Sequence, residues 1–201
     1  RFRKPNQNDA VHITNFLNAG KAIVGIRTST HAFNGGEKLG GKISYSQFGP
    51  LIMGEGWVSH HGKHKGEGAR GMVETKNAAH PILNGVTDVF GPSDVYGINR
   101  LNEKDTILLR GAVTKTLAPN SSFVDAKNDP MQPLAWLHPY TAPNGKNGTT
   151  FCTTMGASVD LVSEDLRRLL GNPVYNLTGL KVPVTAMVDK VDLFYPSFIG
   201  F

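Results

Sequence analysis

Residues 21–33 read KAIVGIRTSTHAF. The run Ala22–Ile26 is apolar without alternation, as a strand buried on both faces is, and such strands sit in parallel sheets covered by helices. Arg27, Thr28, Ser29, Thr30 and His31 follow with no spacer, so the strand stops at a tight turn. Upstream, NDAVHITNFLNA (residues 8–19) puts Ile13, Phe16 and Leu17 on one helical face, with Asn6 or Asn8 as N-cap and Gly20 to end the helix. Helix, short connection, buried strand and sharp turn are consecutive pieces of an α/β sheet. Ligands in open α/β sheets collect beyond the carboxyl ends of the strands. The turn after Ile26 is therefore the first place to look for a site.

Further on, residues 34–70 are rich in glycine and polar residues, longer than an ordinary connection, and read as a functional loop layer with local strand at WVSHH (57–61). GMVET (71–75) alternates like a half-buried strand, and HPILNGV (80–86) reads as a turn with an apolar anchor. DVFGPSDVYGI (88–98) suggests strand, turn and strand, and DTILLRGAV (105–113) a further strand. LAWLHPY (134–140) and TTFCTTM (149–155), joined by an Asn/Gly-rich turn, form a hairpin. SEDLRRLLGNPVYNL (163–177) gives a second helix capped by Ser163, with Leu166, Leu169 and Leu170 inward and Pro173 expected to kink or break it. The tail from Lys181 is apolar enough to require packing. No repeat or linker divides the chain, which is read as a single domain over residues 1–201. It opens on RFRKP, which reads as the exit of a strand, so the expectation is a fold whose first strands lie upstream, together with any export signal; export is slightly favoured over the cytoplasm.

The chain has 201 residues, 39% hydrophobic and 18% charged, enough for a substantial core. No stretch approaches the roughly 20 continuous apolar residues of a membrane span, so no membrane partner is expected. The net charge of +5 is dispersed, and its one concentration, HHGKHKGEGAR (60–70), is broken by Glu67 and glycines. Nucleic acid, which needs a basic stripe with base-reading elements, is not expected as a partner. The single Cys152 excludes an intramolecular disulfide and a cysteine-based zinc site.

GIRTSTHAF, GEGWVSHHGKHK, HPILNGVTDVFGPSDVYG, PLAWLHPY and GTTFCTTMGASVDLVSEDLRRLLGNPVYNL, taken in order, resemble the ThuA-like (trehalose-utilisation) family, in particular its long-looped planctomycete forms. The resemblance covers essentially the whole chain. It implies a flavodoxin-like, class I glutamine-amidotransferase-like α/β fold: a mostly parallel sheet, helices on both faces, and a long loop layer at the strand C-terminal ends. It also implies a role with trehalose-type disaccharides or their 3-keto derivatives. In the related amidotransferases the turn carries Gly-x-Cys-x-Gly. Here the run is Gly25, Ile26, Arg27, Thr28, Ser29, with arginine at the nucleophile position, and Ala157 and Ser158 stand where the late histidine would fall. Glutamine hydrolysis is not expected, and Cys152 reads as core packing.

The candidate residues each carry two readings. Arg27 offers five donors that keep their charge, as an anion clamp or sugar-hydroxyl donor, or else it pairs with a buried carboxylate. Thr28 adds a hydroxyl or caps the turn. His31 serves as acid or base, or as a hydrogen-bonded loop residue. His60 and His61 are equal candidates for acid/base work; as neighbours in an extended segment they point to opposite faces, and no carboxylate stands at a diagnostic spacing to them or to His64, so no metal is expected. Asp94 and Tyr96 read as substrate-facing residues, or as a turn aspartate and a core tyrosine. Trp57 stacks on a sugar or anchors the loop, and Asp160 caps a helix or replaces part of the lost pair. The expected catalytic set is thus His31, His60 and His61, with Arg27, Thr28, Asp94, Tyr96 and Trp57 binding substrate. No cofactor is called for, the partner is a small sugar, and a homo-oligomer is left open. The rival is a carbohydrate-binding or interaction subunit without catalysis.

Overall fold

The computed structural model describes residues 1–193 and 196–197; the last aromatic part of the tail lies outside them. The chain forms two compact units, each gathered from separated stretches: residues 1–58, 98–106 and 136–152 in the first, and 59–97, 107–135 and 153 onward in the second. No helix among the described residues is long and apolar enough to cross a membrane.

In the first unit, α1 (Gln7–Asn18) starts where Asn6 accepts the Asp9 amide at 2.9 Å while Asp9 takes the Asn6 amide, a reciprocal cap. Gly20, with φ +68°, follows in the left-handed conformation that ends a helix. Ala10, Thr14 and Leu17 are its buried face. Phe16, expected inward, is 43% exposed, because it falls on the flank of that stripe. β1 (Ile23–Ile26) also departs from expectation: Val24 and Ile26 are 38% and 37% exposed, and only Gly25 is buried. β1 is the outermost strand of its sheet, so a continuous apolar run here does not mean cover on both faces. A short antiparallel pair, β2 (Lys38–Leu39) and β3 (Ile43–Ser44), comes next. The unit's core joins Leu17, Leu39, Tyr45, Phe48, Ile52 and Met53 to Trp136, whose indole N–H donates to the Met53 carbonyl at 2.8 Å.

The second unit contains β4 (Gly68–Val73), β5 (Val89–Gly91) and β6 (Thr106–Thr114, from Ile107 on), with β4 antiparallel to both neighbours. Ile82 and Leu83 are buried in a single 3-10 turn, Pro81–Leu83, as the apolar anchor predicts. α2 (Glu164–Leu177) begins where Ser163 Oγ accepts the Leu166 amide, and buries Leu166 and Leu169. Pro173 neither breaks nor ends it. Beside the proline, Asn172 Nδ2 donates to the Ile82 and Asn84 carbonyls at 2.8 and 2.9 Å, and Arg168 binds the Ala186 and Gly85 carbonyls. These tertiary bonds tie the helix to its surroundings beside the proline, which lacks an amide donor of its own. The tail packs in part: Val182 and Ala186 are buried, whereas Met187, Val191 and Leu193 are exposed.

With β7 (Gln132–Thr141) and β8 (Asn147–Thr153), the strand order is β1-β8-β7-β6-β4-β5. This overturns the expectation of a flavodoxin-like, mostly parallel sheet with helices on both faces: the sheet is mixed, and the described residues contain two α-helices. The cause lies in the connections. Parallel neighbours need a crossover of a dozen or more residues, usually helical, but residues 142–146 form a tight turn closed by Ala142 N–H on the Lys146 carbonyl, which permits only the antiparallel hairpin of β7 and β8. Between β4 and β5 the chain makes only 3-10 turns.

Candidate functional site at Asp94

The residues proposed from sequence divide between the units. Arg27, Thr28, His31 and Trp57 belong to the first, and His60, His61, Asp94 and Tyr96 to the second.

In the first unit the turn after β1 is as sharp as its sequence suggests. Arg27 has φ +43°, a left-handed conformation uncommon for any residue with a side chain, and opens a 3-10 turn over Arg27–His31. Ser29 locks it, its hydroxyl accepting the Ile26 amide at 3.0 Å and donating to the Ile26 carbonyl at 2.8 Å. A Cβ on Gly25 would lie 2.8 Å from the buried Met53 Sδ, so a larger residue where the strand enters the turn would have to displace Met53. Arg27 and His31 are both buried. His31 is within hydrogen-bonding reach of the Thr30 hydroxyl through Nδ1, and its ring lies 4.8 Å from Trp57 and 5.1 Å from Phe2. Burial, with the Glu55 charge adding to it, pushes the Cys152 thiol far up, so it stays protonated and unreactive. Glu55, unforeseen in the sequence, is a buried tether that accepts the Asn99 and Arg100 amides at 2.7 and 2.9 Å.

In the second unit two loops are clamped together. His61 N–H and Gly62 N–H both donate to the Val95 carbonyl, Gly97 N–H donates to the Ser59 carbonyl, and His60 pairs with Tyr96 in an isolated antiparallel bridge. The 93–96 segment is fixed from its other side. Ser93 Oγ donates to Asp160 at 2.6 Å, and that carboxylate also takes the Gly156 and Ala157 amides, capping the short turn that follows them. Val95 is fully buried where Gly111 of β6 leaves room: a Cβ there would sit 3.0 Å from Val95.

This clamp leaves Asp94, 1% exposed, facing two imidazoles. His60 Nδ1 lies 2.5 Å from one carboxylate oxygen and His64 Nδ1 2.9 Å from the other. An ionised carboxylate only accepts, so each Nδ1 carries the proton it donates. The rings are 4.7 Å apart, and both histidine side chains are 38% exposed. Tyr96 is buried and meets the His60 ring edge-on at 5.8 Å. His61 turns away, its Nε2–H donating to the Lys127 carbonyl at 2.7 Å, a bond that moors the loop. Alternation did separate His60 from His61. It did not foresee that a turn closed by Gly66 and Glu67 N–H on the Lys63 carbonyl brings His64 back to His60. Glu67 accepts the Lys63 amide and the Lys127 ammonium, both at 2.6 Å. Burial raises the Glu67 pKa, but these bonds outweigh it and hold the carboxyl below its usual range.

No family model matches the sequence, and neither a curated protein nor a solved structure matches the chain.

Proposed function

We propose that this protein acts in carbohydrate metabolism, by acid/base chemistry on a trehalose-type disaccharide or its 3-keto derivative, at His60 and His64 held by Asp94. The observation that carries the reading is the buried carboxylate engaged by two imidazoles at once. Asp94 fixes the Nδ1–H tautomer of both rings, which makes Nε2 the basic nitrogen of each, and the half-exposed side chains are within reach of a solute. Two imidazoles side by side suit a sugar hydroxyl and its neighbouring carbonyl or glycosidic oxygen, one ring taking a proton while the other, once protonated, gives one. The carbohydrate class comes from the resemblance to the ThuA-like family, and the site geometry is compatible with it.

The test is turnover of trehalose and 3-keto-trehalose by the wild type and by His60→Gln. Loss of one acid/base group is expected to lower turnover by about 10² to 10⁴-fold. Turnover unchanged in His60→Gln, or no response to either sugar, would refute the proposal; saturable binding without turnover would place the chain among carbohydrate-binding proteins.

A further inference from the structure

We propose that His60, His64 and Asp94 bind a divalent first-row transition-metal ion. The inference rests on the reading of Asp94 and its two histidines as the working site, and it names the cofactor class that site takes.

The three side chains each offer one ligand atom, and these atoms lie within 4.8 Å of one another. The two Nδ1 atoms stand 2.5 and 2.9 Å from the Asp94 oxygens, whereas neighbouring ligands of an ion with bonds of about 2.0–2.2 Å stand about 3 to 3.6 Å apart, so an ion would replace both N–H···O bonds as the imidazoles draw back by about 1 Å or less. The two exposed imidazoles can supply that by small rotations. Two nitrogen donors and one carboxylate suit zinc, iron, nickel or copper, whereas magnesium and calcium prefer oxygen throughout. The ligands are also arranged in advance. The Lys63–Glu67 turn fixes His64, the Val95 carbonyl fixes the backbone at His61 and Gly62, and Asp94 is held in a segment anchored by Ser93 and Val95. A cation would also compensate the carboxylate for its removal from water.

Three protein ligands leave at least one position for water or for a hydroxyl of the sugar, the pattern of catalytic sites and not of closed structural ones. With the ion on Nδ1, the imidazoles carry their protons on Nε2 and act toward substrate as donors, and the base of the acid/base reading becomes a water or hydroxyl held by the ion in place of an imidazole nitrogen. His60, His61 and His64 with no carboxylate at a diagnostic spacing gave no expectation of a metal; in the folded chain His61 points away, His64 joins His60, and the carboxylate comes from a segment 34 residues from His60.

The experiment is a calorimetric titration of the chelator-stripped full chain with zinc chloride alone. One ion per chain is expected, with affinity reduced at least about 10 to 100-fold in both His60→Ala and His64→Ala and unchanged in His12→Ala. Circular dichroism checks that each variant is folded, which the exposure of both side chains favours. Absence of saturable binding, or binding that His64→Ala leaves intact, overturns the inference. Sugar binding by the stripped protein without zinc binding would end this inference and leave the proposed function standing. Zinc binding with no response to sugar would do the reverse.

Discussion

Gly62 occupies a point where a side chain would crowd the site, since a Cβ there would stand 3.2 Å from the Asp94 Cβ and 3.4 Å from the Val95 nitrogen. The neighbour is backbone and a short buried side chain, so it cannot swing aside. Gly62→Ala should push the loop away from Asp94 and cost about 1 kcal/mol in urea unfolding, with a larger fractional loss at the site than in global stability. The pair of measurements is unfolding free energy beside zinc or sugar affinity; equal affinity to wild type would show that the clamp does not position the histidines. The residue types of this site were legible in the sequence, since Asp94, His60 and His64 all drew attention there. Their meeting was not. It depends on the 59–62 and 94–97 segments pairing through backbone groups, which side-chain identity does not encode.

Among the elements, the helices were the most legible, because their signals are local: Asn6 with Asp9 starts α1, and Ser163 starts α2. Strand burial was less so, as the exposed faces of Val24 and Ile26 show. Sheet direction was legible at the β7–β8 hairpin, whose Asn/Gly-rich turn marks it, and not elsewhere, where it follows from the lengths and closures of the connections and not from any strand's own residues. The 3-10 turn at Pro81–Leu83 carries a pH dependence. His80 Nδ1 accepts the Ile82 amide, and burial holds this histidine below its ordinary range. The folded chain thus resists a proton that the unfolded chain accepts near pH 6.5. The resulting stability is fully present above that value and is lost as pH falls below it toward the lowered folded value. His80→Asn keeps an acceptor for the turn but removes the titration, so its urea midpoint should fall less than that of the wild type between pH 7.5 and 5.5. Equal falls would show that His80 does not contribute to the acid sensitivity.

For the molecule as a whole, the central claim is that the working chemistry lies at Asp94 in the second unit, whatever the sharp turn at Arg27 contributes to the first. The seven histidines make this measurable, because His12, His31 and His138 report from the first unit and His60, His61, His64 and His80 from the second. His138 also has a carboxylate partner, Asp105 at 2.7 Å, and so serves as an internal control for a histidine–aspartate pair outside the site. The most direct measurement is long-range nitrogen–proton NMR of all seven imidazoles, recorded while 3-keto-trehalose and zinc are added in separate titrations. The prediction is Nδ1–H tautomers for His60 and His64 in the free protein, with both rings shifting in saturable fashion while His12 and His138 stay in place. Ligand-dependent shifts confined to His31, or His60 and His64 unmoved by either addition, would contradict it.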